Sequence, residues 1–280
     1  LKQFVLTRSK DYSFASITGE SIKATERDSD AFLRYATMEI DGALHSLTRS
    51  LAVAMYRDGS GVRGQVNAEP GTASDMVLTL KNAEDITNFE VGMVVNVFSA
   101  LSGGSQRTRD GSNGDFTIDA IDRDAGTLTF TGEAYDSSGT IAADEYLFVK
   151  GDRGLMVTGL EGWCPASAPA ATAFFGVDRT ADATRLGGNR FDGSALPIEE
   201  ALIGGASRVA REGGSPDHCF VDFATFANLE KALGSKVVYS EAKARSVDIG
   251  FAGIDIRGPR GTIKVIPDQN CQPDVAWMLQ

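Results

Sequence analysis

Residues 30–57 read DAFLRYATMEIDGALHSLTRSLAVAMYR, and no other part of the chain has so regular a pattern. Apolar residues recur every three or four positions and predict one stripe on an amphipathic helix. Asp28 or Ser29 can cap its first amides, and Gly59 follows as a stop signal. Such a helix is about 40 Å long, which is longer than a compact small domain needs to cover its own core, so we expect something else to lie along it. The core positions predicted on the stripe are Leu33, Ile40, Leu44, Leu47 and Leu51.

The composition is typical of a folded protein with about two domains, since 42% of the 280 residues are hydrophobic and 23% are charged. The formal net charge of -11 argues against a surface whose main task is to grip phosphates. No apolar run is long enough to predict a membrane span, and the first residues do not resemble a signal peptide. The chain begins at Leu1, without a methionine and within a predicted strand, so we expect a segment to precede it.

The order of the predicted elements indicates an α+β protein with an insertion. Residues 2–25 predict extended segments, and the glycine-rich residues 58–64 predict a hinge. Short alternating segments with turn signals predict a small antiparallel barrel or sandwich of five or six strands. These strands are 76–80, 91–98, 115–121, 127–131, 146–149 and 156–160. Beyond the prolines of residues 159–170, the predicted elements are helices 196–212 and 223–233 and strands 219–221, 249–256, 262–266 and 275–279.

The residues that could carry chemistry form no catalytic, metal-binding or cofactor-binding pattern. The glycines of residues 59–64 match GxGxxG, but a helix precedes them and strands follow, which is the wrong order for a nucleotide site. His218 and Cys219 are adjacent on a predicted strand and point to opposite faces. Asp119, Asp122 and Asp124 lack the glutamate of a calcium loop, so a polar turn explains them better. The three cysteines are widely spaced and predict reduced structural thiols in a cytoplasmic protein: Cys164, Cys219 and Cys271.

Residues 174–190, FFGVDRTADATRLGGNR, alternate in charge without a helix or strand period. One interpretation is a solvated loop. The other is a loop whose charges pair with another subunit, where complementarity sets the register of the contact more than its affinity. The candidate subunit contacts are Asp178, Arg179, Asp182, Arg185 and Arg190.

Several segments together resemble the major capsid proteins of tailed double-stranded DNA phages, which have the Hong Kong 97-type fold. They are YSFASITGESIKATERDSDAFLRYATMEIDGALHSLTRSLAVAMYRDGSG, FFGVDRTADATRLGG, LPIEEALIGGASRVAREGG, HCFVDFATFANLEKAL and GFAGIDIRGPRGTIKVIPD. The resemblance implies a Hong Kong 97-type capsid fold with an inserted small antiparallel β-barrel domain. Residues 1–25 would be the end of the extended loop and the strand leading to the spine helix. The remaining parts would be the peripheral domain with the spine helix (26–64), the barrel (65–162), a return to the peripheral domain (163–193) and the axial domain with the final strand (194–280).

The resemblance also implies an axial loop at residues 237–247, whose candidate contact residues are Tyr239, Glu241, Lys243 and Arg245. The chain departs from the family in beginning too late for the N-terminal arm, and in carrying a barrel that only some relatives have. Some members of the fold form covalent crosslinks between lysine and asparagine, but no residue here matches that chemistry.

The function implied is that of a structural, non-enzymatic protein, whose pentamers and hexamers form an icosahedral shell. The shell would be assembled in the bacterial host cytoplasm, would become part of the virion, and would enclose double-stranded DNA without sequence-specific binding. Its partners would be other copies of the chain, a portal, a scaffolding protein or protease, and a decoration protein, with no membrane and no cofactor. Two alternatives stay open: an encapsulin-like compartment, and a surface- or carbohydrate-binding module that acts through the barrel.

Overall fold

The computed structural model describes six parts of the chain, namely residues 3–25, 29–68, 75–108, 114–131, 141–234 and 254–280. The predicted long helix is confirmed as α2, Ser29–Tyr56, within one residue of the expected bounds. A short helix, α1, Gly19–Thr25, precedes it and was not predicted. Glu20 in its first turn and Lys23 in its last turn complement the helix dipole. Residues 3–18 have no regular secondary structure, so the strands predicted there are absent.

The first seven strands that the structure describes after α2 form two small antiparallel sheets. One sheet has the order β1-β7-β3-β4 and the other has the order β2-β6-β5. The strands are β1 (Val62–Gln65), β2 (Met76–Thr79), β3 (Val94–Phe98), β4 (Phe116–Thr117), β5 (Ala120–Asp122), β6 (Thr127–Phe130) and β7 (Tyr146–Val149).

Backbone hydrogen bonds join the two sheets on both sides. On one side the chain passes from β4 to β5, where the Ile118 amide donates to Met93 O at 3.0 Å and the Asp119 amide donates to Thr129 O at 2.9 Å. On the other side the Asn67 amide donates to Thr79 O, and the Lys81 amide donates to Gln65 O, both at 2.8 Å. The strands therefore close into a six-stranded barrel, in which β4 and β5 act as one bent strand. Its interior is apolar, with Phe89, Phe130, Leu128, Leu147 and Ile118 fully buried.

Two predicted boundaries of the barrel are wrong. The first strand begins at Val62, so the last three residues of the predicted hinge belong to β1. The strand predicted at residues 156–160 is absent, and a short helix, α3, occupies Leu160–Trp163. Gly159 explains the second difference, because its amide donates to Arg57 O at 2.9 Å and a Cβ there would lie 2.2 Å from Met55 O. The chain turns here against the end of α2.

The last part of the chain is a four-stranded sheet with two helices, as predicted. The helices are α4 (Ile198–Arg211) and α5 (Phe223–Gly234), and the strands are β8 (His218–Val221), β9 (Ile254–Gly258), β10 (Gly261–Pro267) and β11 (Ala276–Leu279). The sheet has the order β11-β8-β10-β9, in which β8 and β10 run parallel and the other pairs run antiparallel. The first five residues of the predicted strand 249–256 lie outside the described residues.

The apolar faces of α4 and α5 supply the core of this second unit. Leu202 and Ala206 of α4 and Leu229 of α5 are buried with Val221 and Val265 of the sheet. Two thiols are also buried, and burial raises the pKa of Cys219 and of Cys271 to about 12. Both thiols therefore stay protonated at neutral pH. All three cysteines are free, and Cys164 is half-buried.

Candidate interaction surface

The C-terminal end of helix α2 contacts the rest of its own chain through charged side chains and through buried aliphatic ones. The Arg49 guanidinium binds the carboxylate of Glu90 and donates to the carbonyl oxygen of Thr87. Arg57 Nη2 lies 2.7 Å from Asp85 Oδ1. All three partners belong to the barrel unit. Asp85 and Thr87 lie in the 3₁₀ turn Ala83–Asn88, and Glu90 lies two residues after it. These ion pairs and hydrogen bonds surround two buried aliphatic side chains of α2, Val53 and Ala54, which are 2% and 4% exposed.

A further hydrogen bond joins the end of α2 to the second unit. Tyr56 OH donates to Asp268 Oδ2 at 2.9 Å, and Asp268 directly follows β10. Burial and the Asp268 carboxylate both raise the pKa of Tyr56 above its usual range. Nearby, Gln272 Nε2 donates to Glu161 Oε2 of α3 at 2.6 Å. These contacts fix α2 against both folded units at its C-terminal end.

The ion pair between Arg57 and Asp85 is the most buried of these contacts, since the two side chains are only 14% and 6% exposed. Burial raises the pKa of the Asp85 carboxyl above its usual range, and Arg57 opposes this increase. Loss of the guanidinium would leave a carboxylate in a site with little solvent to stabilise it.

Most of the predicted apolar stripe lies on the opposite side of α2 and is not a core within the chain. Leu33, Ile40, Leu44 and Leu51 are 61%, 57%, 58% and 49% exposed, and Leu47 is half-buried. The prediction that these five residues form a core is therefore wrong for the single chain, whereas Ala54, three residues after Leu51 in the same spacing, is buried. The side-chain contacts of α2 with the barrel begin at Arg49, and they use the other face of the helix.

Thr37 lies along the same stripe and Thr48 lies beside it, and both hydroxyls are bonded inside the helix. Thr37 Oγ1 donates to Leu33 O at 2.8 Å, and Thr48 Oγ1 donates to Leu44 O at 2.8 Å. Neither hydroxyl therefore offers a free donor to solvent on this side. We call this surface the outer face of α2, and we define it by six residues: Leu33, Thr37, Ile40, Leu44, Leu47 and Leu51.

An aromatic cluster around Trp163 holds the N-terminal segment of the described chain. The Trp163 ring lies 5.4 Å from Phe4, 5.1 Å from Phe174 and 5.5 Å from Phe175, measured between centroids. The Val5 amide also donates to Phe175 O at 2.9 Å. The segment beyond this anchor exposes large apolar side chains, and Phe14 is 89% exposed.

Some charged residues of the loop 174–190 are bound within the chain, and the others are exposed and could reach a second subunit. Arg179 is buried, and its Nη1 donates to Gly162 O at 2.9 Å and to Trp163 O at 3.1 Å. Its guanidinium also lies 3.8 Å from the centre of the Phe174 ring. The prediction that Arg179 is a subunit contact is therefore wrong, because its guanidinium holds the aromatic cluster.

Arg190 and Asp178 also have partners inside the chain. Arg190 Nη1 donates to Gly187 O at 2.9 Å and to Gly188 O at 3.1 Å. Asp178 Oδ1 accepts the Thr180 amide at 2.9 Å and caps a 3₁₀ turn. These two residues shape the loop. By contrast, Asp182 and Arg185 are exposed and lie 3.8 Å apart, so they are the members of the set that a second subunit could reach.

This division predicts different effects on stability within one loop. We expect Arg179→Ala to lower the free energy of unfolding by about 2–3 kcal/mol, because it removes charge-assisted hydrogen bonds and a cation–π contact. The matched Arg185→Ala should change it by less than about 0.5 kcal/mol. Urea unfolding followed by Trp fluorescence measures both values. Equal effects of the two substitutions would contradict the assignment.

The other candidates give no reactive site in the part of the chain that the structure describes. His218 is exposed and bonds Asp217 at 2.7 Å, whereas Cys219 is fully buried, so they form no nucleophile pair. Asp122 Oδ1 accepts the amides of Asp124 and Ala125 at 3.0 Å, as the polar turn requires. Among the described residues, no group of three His, Cys, Asp or Glu could hold a metal ion. The axial-loop candidates Tyr239, Glu241, Lys243 and Arg245 lie outside the described residues.

The clefts of the described chain are small. Each of the two best formed has a cavity volume of about 10 Å³, far below the roughly 300–1,000 Å³ of typical ligand pockets. One of the two lies where α2 meets β1, and its lining includes Gly59 and Gly61 of the glycine-rich segment. Both glycines have positive φ, and a Cβ on Gly61 would lie 2.6 Å from Asp152 O. They allow a close turn from helix to barrel.

Comparison of the chain with protein-family models, with curated proteins and with solved structures found no match. Within the described residues, no helix combines the length and the apolar character needed to cross a membrane. The most informative functional feature is therefore the outer face of α2. The apolar spacing predicted five of its six residues, all but Thr37, but assigned them to a core. It did not identify Arg49, Tyr56 and Arg57 as the contacts that hold the helix.

Proposed function

We propose that this chain is a structural subunit of a closed protein shell, of the kind formed by the major capsid proteins of tailed double-stranded DNA phages. The observation that carries the proposal is the orientation of α2. The helix binds its own chain near its C-terminal end, through Arg49, Tyr56 and the buried Val53, and its outer face is left exposed. A subunit built to be covered by its neighbours has this arrangement.

Energetics support a covered state for the outer face. Burying one large aliphatic side chain contributes roughly 1.5–3 kcal/mol relative to leaving it in water. Leu33, Ile40, Leu44 and Leu51 are each about half exposed or more. Monomeric proteins rarely keep a long continuous apolar face in water, and such faces mark interaction sites. Several copies of one chain can cover these faces by symmetry.

The charge of the chain fits a shell that encloses nucleic acid without holding it. A formal net charge of -11 gives little attraction to a phosphate backbone. A genome inside such a shell would be free to move during packaging and release. In this proposal the other partners are a portal, a scaffolding protein or protease and a decoration protein.

Purification of the full-length protein tests the proposal directly. We expect sedimentation and electron microscopy to reveal closed particles, alone or with coexpressed scaffolding protein. Only monomers under all assembly conditions would overturn the proposal. Nuclease-resistant DNA inside particles would support the phage reading, whereas a cargo enzyme and no protected DNA would favour an encapsulin-like compartment. The alternative binding role of the barrel gains no support from a pocket within its described strands.

A further inference from the structure

The outer face of α2 has the period of a coiled coil. Its members follow one another at alternating steps of four and three residues, from Leu33 through Thr37, Ile40, Leu44 and Leu47 to Leu51. This spacing averages 3.5 residues and covers more than two heptads. A face of this period fits a second helix, because side chains at such positions insert between those of a helix with the same period.

The N-terminal half of α2 is the part of this face that a second helix can reach most freely. The hydrogen bonds and ion pairs that join α2 to the barrel involve Arg49 and Ser50, in the last third of the helix, and Arg57 directly after it. Leu33, Ile40 and Leu44 precede all of these contacts and are each more than half exposed.

Among the described helices, α2 is the one whose apolar face is available as the partner. Helices α4 and α5 already bury Leu202, Ala206 and Leu229 against their own sheet. Helices α1 and α3 have only 7 and 4 residues, too few to match a face of this length. The complementary helix is therefore α2 of a second copy of the chain.

Two charges beside the outer face select an orientation and a register. Arg34 and Asp41 are exposed and lie seven residues apart, at equivalent heptad positions with opposite signs. In an antiparallel pair, residues at this flanking position face one another across the two helices. Arg34 of each copy then meets Asp41 of the other. In the same register Leu33 of one copy faces Leu44 of the other, and Thr37 of one copy faces Ile40 of the other.

We propose that α2 pairs with α2 of a second copy, antiparallel, over residues 33–44. The contact is isologous, since the same patch serves on both sides, and it would join two subunits across a twofold axis. This inference rests on the proposed function, because it names the partner of the surface from which that function was argued. It goes further in specifying which element of the neighbour covers the face and in which direction.

Disulfide crosslinking between full-length chains tests the pairing. Leu33→Cys and Leu44→Cys are made separately in a Cys164→Ser background and are then coassembled in equal amounts. We expect the mixture to give crosslinked dimers in at least about tenfold higher yield than either variant alone, because position 33 faces position 44 of the other copy. Mass spectrometry identifies the joined peptides.

The outcomes separate this inference from the proposed function. Particles that form without the mixed crosslink, or with crosslinks between identical positions, would overturn the antiparallel pairing and leave the shell function standing. Only monomers would overturn both. A charge swap gives an independent test: Arg34→Asp or Asp41→Arg alone should reduce assembly, and the two together should restore it. Failure of the double variant to recover assembly would also contradict the pairing.

Discussion

Leu44→Asp is expected to abolish assembly while leaving the monomer folded. The side chain is 58% exposed in the single chain, so the substitution buries no charge in the subunit. In the assembled state the same carboxylate would be desolvated against the neighbour, which costs several kcal/mol without a partner. Sedimentation should therefore find only monomers, while circular dichroism and the free energy of unfolding stay within about 1 kcal/mol of the wild type.

Met38→Asp is the matched control for this experiment. Met38 lies on the same helix and is 73% exposed, but it is outside the outer face. The substitution places the same charge in the same helix, with the same effect on helix propensity. We expect it to assemble normally. If both variants assemble alike, or if Leu44→Asp fails to fold, the outer face is not the subunit contact that we infer.

Arg57→Met is expected to be the most destabilising of the substitutions at the junction of α2 and the barrel. It leaves the carboxylate of Asp85, whose side chain is 6% exposed, without its cation. Removing one partner of a buried ion pair costs about 3–5 kcal/mol. The matched control is Arg49→Met, whose pair with Glu90 is 31% and 57% exposed, and which should cost less than about 1 kcal/mol.

The defect of Arg57→Met should shrink on acidification. Burial raises the pKa of Asp85 in the folded state, and loss of Arg57 removes the interaction that opposes this increase. The folded protein then takes up a proton more readily than the unfolded chain, so the stability from this group is present at low pH and is lost as the pH rises through the folded pKa. Urea unfolding at pH 5 and pH 7.5 measures the difference. A defect that does not depend on pH would show that Asp85 is not its cause.

Local signals explain the predictions that succeeded. The bounds of α2 followed from a regular apolar spacing and a glycine stop, and α4 and α5 followed from the same kind of pattern. The turn before β6 followed from its aspartates and Gly126, whose φ is 65°. Each of these depends on residues that are close together in the chain, so propensity and periodicity were sufficient.

Long-range contacts explain the predictions that failed. Residues 156–160 have the composition of a strand, but Gly159 is held against Met55 and Arg57, and the chain turns into α3. Arg179 and Arg185 look alike in the charged loop, yet one holds an aromatic cluster and the other is exposed. No local pattern distinguishes them, because the carbonyls and rings that bind Arg179 come from other elements.

The sequence by itself determined that residues 30–57 form a long helix with one apolar stripe, followed by a small antiparallel barrel and an α+β unit. Only the tertiary structure decided which side of that helix meets the rest of the chain. Periodicity shows that a helix has an apolar face but not what covers that face. The same spacing of apolar residues is found whether the face is buried in a core, covered by a partner or exposed to solvent. Here Arg49 and Arg57 bind the barrel on one side, and Leu33, Ile40 and Leu44 are therefore left facing outward.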